Sequence, residues 1–193
     1  IDRNVKVYNI QTVEDAEKLA FSFLKDGQTV SFGGSMTLEE TGMLTALRHD
    51  PSIHLIDRST AKTPDETKKM YHDALSSDVY FMSTNAITTG GELVNIDGTG
   101  NRVAALIYGP ETVVILAGMN KIAANVDEAL SRVHNVATAQ NCIRLDKKTP
   151  CAITGACADC LSPDCICNQV VITRRSGIKG RIKVLLIGES FGY

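Results

Sequence analysis

No stretch of this sequence approaches the ~20 consecutive apolar residues that a membrane-spanning helix needs. The longest apolar runs are short ones such as Val103 to Tyr108 and Val113 to Gly118. Charge of one sign is not in excess either. With a formal net charge of -2 the chain lacks the clustered positive charge of a phosphate-backbone binder, so nucleic acid is not an expected partner. The short basic pairs Lys147-Lys148 and Arg174-Arg175 read as solvated faces. The opening Ile1-Asp2-Arg3-Asn4 is polar and carries no apolar signal region, which gives no sign of export; the chain does not begin with methionine, so its natural start is not visible. Together these absences give the expectation of a soluble, cytoplasmic protein without a membrane span. Familiar catalytic signatures are missing too: there is no G-x-S-x-G and no H-E-x-x-H. His49, His54, His72 and His134 are scattered, and none pairs with another at ligand spacing, so each reads as a surface or satisfied histidine.

What is present is an ordinary globular composition, 44% hydrophobic and 22% charged over 193 residues, enough for one domain spanning 1–193. Thr12 with Asp15 forms a capping signal ahead of apolar positions spaced for one helical face, with Gly27 as the stop. Thr29 to Phe32 reads as a short buried strand ending on Gly33-Gly34-Ser35, and Thr37 with Glu40 forms a second capping box. A strand from His54 to Arg58 precedes a helix opened by Thr63-Pro64 and running to about Ser76. Val79 to Thr84 reads as a strand, with a hairpin-like excursion through Gly90-Gly91 to Leu93–Asp97. Val103 to Tyr108 and Val113 to Ala117 are the most strand-like segments, followed by a helix from about Ile122 to His134 and closing strands at Val170 to Arg175 and Arg181 to Ile187. Strands alternating with helices of 10–15 residues predict an α/β fold with a mostly parallel, helix-covered sheet.

Five of the six cysteines, Cys151, Cys157, Cys160, Cys165 and Cys167, fall within seventeen positions, with Cys142 nine before them. The segment about 142–168 is rich in turn formers and poor in core residues, so a cross-linking centre is a natural way to order it. Cys157-x-x-Cys160 can bind one ion from a tight turn, and Cys151 and Cys167 can complete a four-thiolate set. Zinc and a [4Fe–4S] cluster both accept four thiolates, and the spacing leaves the choice open. A disulfide-stapled loop is the competing reading, but it needs an oxidising compartment. The fifth close cysteine leaves a redox role open for Cys165.

Two polar constellations offer a ligand site. Gly33-Gly34-Ser35, between a strand and a capped helix, brings N–H groups to one point, with Ser35 and Thr37 as hydroxyl donors, a cradle for a phosphate or carboxylate. The second comprises Asn85, then Gly91-Glu92, then Gly98-Thr99-Gly100-Asn101-Arg102, where Asn85, Thr99 and Arg102 would hold an anion at a strand end. A plain strand-to-helix turn and a plain hairpin are the alternatives.

Gly33-Gly34-Ser35, Asn85-Ala86-Ile87, Gly98-Thr99-Gly100-Asn101-Arg102-Val103, Thr149-Pro150-Cys151 through Cys167-Asn168 and the closing Val184 to Gly192 together resemble the lactate-utilisation (LUD) domain family. The resemblance implies a fold like that of ribose-phosphate isomerases and coenzyme A transferases. It also implies a part in oxidising lactate to pyruvate beside iron–sulfur partner subunits, as an accessory subunit. The family pattern places four cysteines at Cys151, Cys157, Cys160 and Cys167, leaving Cys165 extra, and so implies an iron–sulfur cluster or zinc there. Sugar-phosphate isomerases of this fold carry an Asp where this chain has Asn85, and an amide cannot act as a general base. Glu39 and Glu92 are then candidate substitutes, and Glu189-Ser190-Phe191-Gly192 matches the transferase nucleophile region in outline only. The alternatives kept open are a stand-alone isomerase- or transferase-like enzyme on a small phosphorylated or carboxylated substrate, and a non-catalytic binding module. The expected partners are a small anionic ligand, iron–sulfur subunits and a second copy of the chain.

Overall fold

A computed structural model describes residues 3–193, so Ile1 and Asp2 of the polar opening lie outside the described residues. Six strands form one all-parallel sheet: β1 (Lys6–Ile10), β2 (Thr29–Phe32), β3 (His54–Ile56), β4 (Val79–Met82), β7 (Thr112–Gly118) and β10 (Ile182–Ile187), in the order β1-β10-β7-β4-β2-β3. A second, four-stranded sheet holds β8 (Ile122–Ala123), β5 (Ala86–Thr88), β6 (Leu93–Asp97) and β9 (Gln169–Thr173) in that order, antiparallel except between β5 and β8. The helices are α1 (Val13–Phe21), α2 (Met36–Glu40), α3 (Met43–His49), α4 (Pro64–Leu75), α5 (Asn101–Ile107), α6 (Val126–Arg132), α7 (Ala139–Arg144) and α8 (Pro150–Thr154). No helix among the described residues is long and apolar enough to cross a membrane.

Alternation along the parallel strands explains the layering, because successive side chains point to opposite faces. Phe81, Val114, Leu116, Leu185 and Ile187 pack with Ala16 and Ala20 of α1 and Leu38, Met43 and Leu47 of α2 and α3. The intervening Tyr80, Met82, Val113, Ile115 and Val184 pack the other way, against Ala105 and Leu106 of α5 and the end of α4. Strands covered on both faces read as near-continuous apolar runs, which is why they were legible. Local signals set the helix starts. Thr12 accepts from Asp15 N, Thr63 accepts from Glu66 N ahead of Pro64, and Asn125 accepts from Glu128 N.

Several sequence expectations are corrected. Val103 to Tyr108, read as a strand, lies mostly in α5. A buried run of six apolar residues fits either element, and here Gly100 at φ 89 turns the chain into a helix. The expected capping box at Thr37 is displaced, since Ser35 is the cap of a single-turn α2, and Gly42 at φ 72 breaks α2 from α3. The first helix stops at Phe21, short of Gly27. The strand at His54 ends at Ile56, and Arg58 begins a 3₁₀ turn, Arg58–Thr60. The helix expected to end near His134 instead continues through a π-helical stretch, Val133–Thr138, into α7 as far as Arg144. Strand β1, a half-exposed edge with little apolar pattern, was not anticipated. The cysteine-rich segment stays out of both sheets, though Cys142 belongs to α7 and Cys151 to α8 rather than to loop.

Candidate functional site

Every parallel strand except β1 delivers its carboxyl end toward one cleft of about 450 Å³. Gly34, Ser35 and Thr37 come from the end of β2, Arg58 from β3, Ser83, Thr84 and Asn85 from β4, Lys121 from the turn after β7, and Tyr193 from the segment after β10. The small sheet supplies a facing wall through Ile96, Asp97, Gly98 and Thr99. The π stretch, α7 and the cysteine-rich segment close the rim with Thr138, Asn141, Arg144, Lys147 and Pro163 to Ile166. Crevices outside the carboxyl ends of parallel strands are where α/β sheets place ligands.

Ser35 and Asn85, expected to share a site, line this cleft together with Gly34, Thr37, Thr99 and Arg102. Gly33 lies just beneath, and a Cβ there would come within 3.1 Å of the Arg102 side chain. A Cβ on Gly34 would meet Arg58 Nη2 at 2.2 Å. Glycine at both positions therefore admits two arginines against the turn.

Arg102 has a different use from the expected anion fork. Its Nη1 donates to Ser83 O (3.2 Å) and Asn95 Oδ1 (2.6 Å), and its Nη2 donates to Asn85 Oδ1 (2.9 Å) and Ile96 O (2.8 Å). Its Nε lies 3.3 Å from Asp97 Oδ2. A guanidinium has five donors, and all five are engaged inside the chain. Arg102 is thus a strut that ties β4, β6 and the Asp97 turn, and it fixes Asn85 facing the cleft. The Asn85 oxygen also accepts from Ile96 N at 3.0 Å, and its carbonyl accepts from Arg132 Nη1 at 2.7 Å.

The three glutamates considered as catalytic groups are not brought to the cleft. Glu39 is exposed on α2 and borders an adjoining pocket with Phe32, Arg48 and Arg58. Glu92 is held in the β5–β6 hairpin by Arg3 and the Thr88 hydroxyl, which lower its pKa below the usual value. Glu189 is exposed beyond β10.

Lys121 was missed. It is only 3% exposed, it lines the cleft, and its Nζ donates to Tyr193 O at 2.9 Å. Among the described residues no Asp or Glu side chain forms an ion pair with it. Burial, reinforced by the cations of Arg132 and Arg102 and opposed by Glu40, pushes its ammonium down to about 7. Nothing local in the sequence marks it, since Met119-Asn120-Lys121 reads as a turn whose lysine should be solvated; only the closing tail buries it. A Cβ on Gly192 would lie 2.6 Å from Thr37 Oγ1 and 3.4 Å from Lys121 Nζ, so a glycine at φ 60 lets the tail pass between them.

The cysteines do not assemble as the sequence suggested. Among the described residues no three His, Cys, Asp or Glu side chains converge as metal donors, and all six thiols are free. Cys142 and Cys151 are buried together with Ala139, and Cys151 Sγ lies 3.3 Å from Thr149 Oγ1. Cys157 Sγ is 3.6 Å from Nδ1 of His134, a neighbour that the sequence spacing did not suggest. Cys165 lines the cleft and accepts from Cys167 N at 3.4 Å. Burial, with Cys165 and Cys157 close by, pushes the Cys167 thiol up to about 12. Among the described residues the side chains of Cys151, Cys157, Cys160 and Cys167 do not come together as one donor set.

Fold and cleft together define an α/β domain built on a parallel sheet with a cleft at the strand ends. The chain belongs to the LUD-domain family, whose model matches residues 2–187. A comparison with curated proteins finds no match. Among solved structures it is similar to a DUF162-family protein from Deinococcus radiodurans, with 11% identity, 97% of this chain and 90% of that chain covered, and a TM-score of 0.53. Lower on the scale are eIF2B delta from Chaetomium thermophilum (19% identity, 62% and 50% covered, TM-score 0.40) and ribose 5-phosphate isomerase A from Methanocaldococcus jannaschii (20% identity, 61% and 58% covered, TM-score 0.36). Family membership supports a role related to lactate utilisation at the level of the family.

Proposed function

We propose that the protein serves lactate utilisation as an accessory subunit in the oxidation of lactate to pyruvate, binding a small anionic metabolite in the cleft at the strand ends. One observation carries the reading. Five cationic side chains, Arg58, Arg102, Lys121, Arg144 and Lys147, line the cleft, and four of them form no ion pair with an Asp or Glu side chain among the described residues, Arg102 being the exception. In a chain of net charge -2 such a concentration of cations favours a carboxylate or phosphate.

A stand-alone isomerase or transferase would need a carboxylate free to move protons or attack. The cleft's two are engaged, Asp97 by Arg102 and the N–H groups of Thr99 and Gly100, and Asp164 by Lys148 N. This favours binding over acid–base chemistry by a carboxylate. For the iron–sulfur partner subunits, the support is the exposure of Ile143, Leu145, Ile153 and Leu161 on and around the cysteine-rich segment, a surface that a protein partner would cover.

The test is calorimetric titration of the protein with pyruvate, lactate and inorganic phosphate at low and high salt. Binding of at least one, weakened by salt and by the double change Arg58→Ala with Arg144→Ala, is expected. Equal indifference to all three would remove the reading.

A further inference from the structure

Resting on the anion-binding reading above, we propose that the ligand is a purine nucleoside phosphate. Its phosphate lies in the cleft, its base occupies an adjoining side pocket, and Arg58 stands at the junction of the two.

Size is the first observation. The side pocket, of about 360 Å³, shares Gly34, Arg58 and Tyr71 with the cleft of about 450 Å³, so the two spaces are continuous past these residues. Pockets of about 300–1,000 Å³ enclose ligands of drug size. A three-carbon acid would leave most of this space unfilled.

Charge gives the ligand a direction. In the side pocket two arginines, Arg48 and Arg58, face two carboxylates, Glu39 and Asp57, and Arg48 Nε pairs with Asp57 Oδ2 at 2.7 Å. The cleft sets five cationic side chains against those of Asp97 and Asp164 alone. An anionic group is therefore favoured in the cleft and a neutral part in the side pocket. Arg58 can serve the anion from between them. Among the described residues it forms no ion pair with an Asp or Glu side chain, and its one hydrogen bond runs from Nη1 to the Tyr71 hydroxyl at 3.3 Å. A guanidinium carries five N–H donors in a planar fork that suits a phosphate, so most of this fork is free for a ligand. Arg102, by contrast, has no donor left, and Arg144 is engaged by Asn141 Oδ1 and the Tyr193 hydroxyl.

The walls of the side pocket specify the neutral part. Phe32 and Tyr71 both line it, and each ring carries a guanidinium: Arg48 lies 5.8 Å from the Phe32 centroid and Arg58 lies 5.6 Å from the Tyr71 centroid. Aromatic rings and guanidinium planes are the surfaces on which nucleobases stack, whereas a saturated chain gains little from them. Glu39 supplies a polar edge. It is exposed on α2, forms no ion pair among the described residues, and as a carboxylate can only accept hydrogen bonds. The N–H groups on the edge of a purine are donors of the kind it lacks.

Calorimetric titrations with AMP, GMP, ribose 5-phosphate and adenosine test each half of the ligand in turn. AMP or GMP should bind at least about tenfold more tightly than ribose 5-phosphate, a factor within reach of one stacked base, and adenosine should bind at least about tenfold more weakly than AMP. Thr67→Leu, which fills part of the side pocket from α4, should remove most of the nucleotide's advantage and leave ribose 5-phosphate binding unchanged. Nucleotides that bound the unaltered protein no more tightly than ribose 5-phosphate would overturn the inference and leave the anion-binding role standing, whether or not the variant folds. Adenosine binding as tightly as AMP, or an AMP advantage that survived in a folded Thr67→Leu protein, would overturn it as well. No binding of AMP, GMP, ribose 5-phosphate, pyruvate, lactate or inorganic phosphate would instead sink the functional reading on which it rests.

Discussion

Two buried cations with opposite surroundings make opposite predictions. Arg102 is compensated at every donor, so Arg102→Ala takes the counter-ion from the Asp97 carboxylate and a donor from the Asn95 amide oxygen and two backbone carbonyls in a largely buried place, leaving Asp97 only the N–H groups of Thr99 and Gly100. Removing one partner of such a network typically costs about 3–5 kcal/mol, and urea unfolding should show a loss of that order. Lys121 forms no ion pair with an Asp or Glu side chain among the described residues, and burial depresses its folded-state pKa relative to an unfolded lysine. Between about 7 and the ordinary lysine range the unfolded chain therefore binds more protons than the folded one, so stability from this group rises with pH across that window. Below about 7 the whole penalty applies. Lys121→Met should accordingly stabilise the ligand-free protein most below pH 7, on the order of a few kcal/mol, with the gain vanishing toward pH 10. Melting temperatures of both proteins across that range check the sign. A gain that grew with pH would contradict the buried setting.

At the scale of elements, arginines again replace missing partners. Helix α5 has no basic residue in its last turn, but Arg181, ahead of β10, is 8% exposed and donates to Ala105 O, Leu106 O and Pro110 O. One side chain thereby satisfies carbonyls that the helix end leaves open. Arg181→Ala should cost about 1–3 kcal/mol for each carbonyl left dry, with hydrogen exchange quickening first along α5. This arrangement also explains why Val103 to Tyr108 reads as a strand in the sequence. The residue that completes the helix sits over seventy positions away, where no local window finds it. The elements read correctly, β2, β4, β7, β10, α1 and α4, carry their signals within themselves as buried β-branched runs or Thr caps. The site was half legible for the same reason. Gly34, Ser35, Asn85 and Thr99 announce themselves by turn chemistry. Lys121 becomes unusual only once Tyr193 folds over it, and Arg102 becomes a strut only once Asn95 and Asp97 surround it.

For the molecule as a whole, the cysteine-rich segment is the largest difference between expectation and placement. With Cys142 and Cys151 packed inside and no donor set assembled, the protein should fold fully without metal. Metal analysis after anaerobic, reducing purification, paired with circular dichroism before and after chelation, should find an unchanged fold and six titratable thiols on denaturation. Cys157→Ser should leave the unfolding free energy within about 0.5 kcal/mol of the original, as for a change away from the core. Stoichiometric zinc or iron whose removal unfolds the segment would restore the four-thiolate set of Cys151, Cys157, Cys160 and Cys167.

The strand order β1-β10-β7 also dictates a sequence of events during synthesis. Strand β1 leaves the ribosome before β10 and pairs within the sheet with β10 alone, which follows more than 170 residues later. Until Ile182–Ile187 emerges, β7 presents an open apolar edge and β1 has nowhere to dock. Parallel pairings across so long a span close slowly. Between the synthesis of β1 and that of β10 this seam stays unpaired, and the same late strand that completes the sheet draws the tail across Lys121 and completes the cleft.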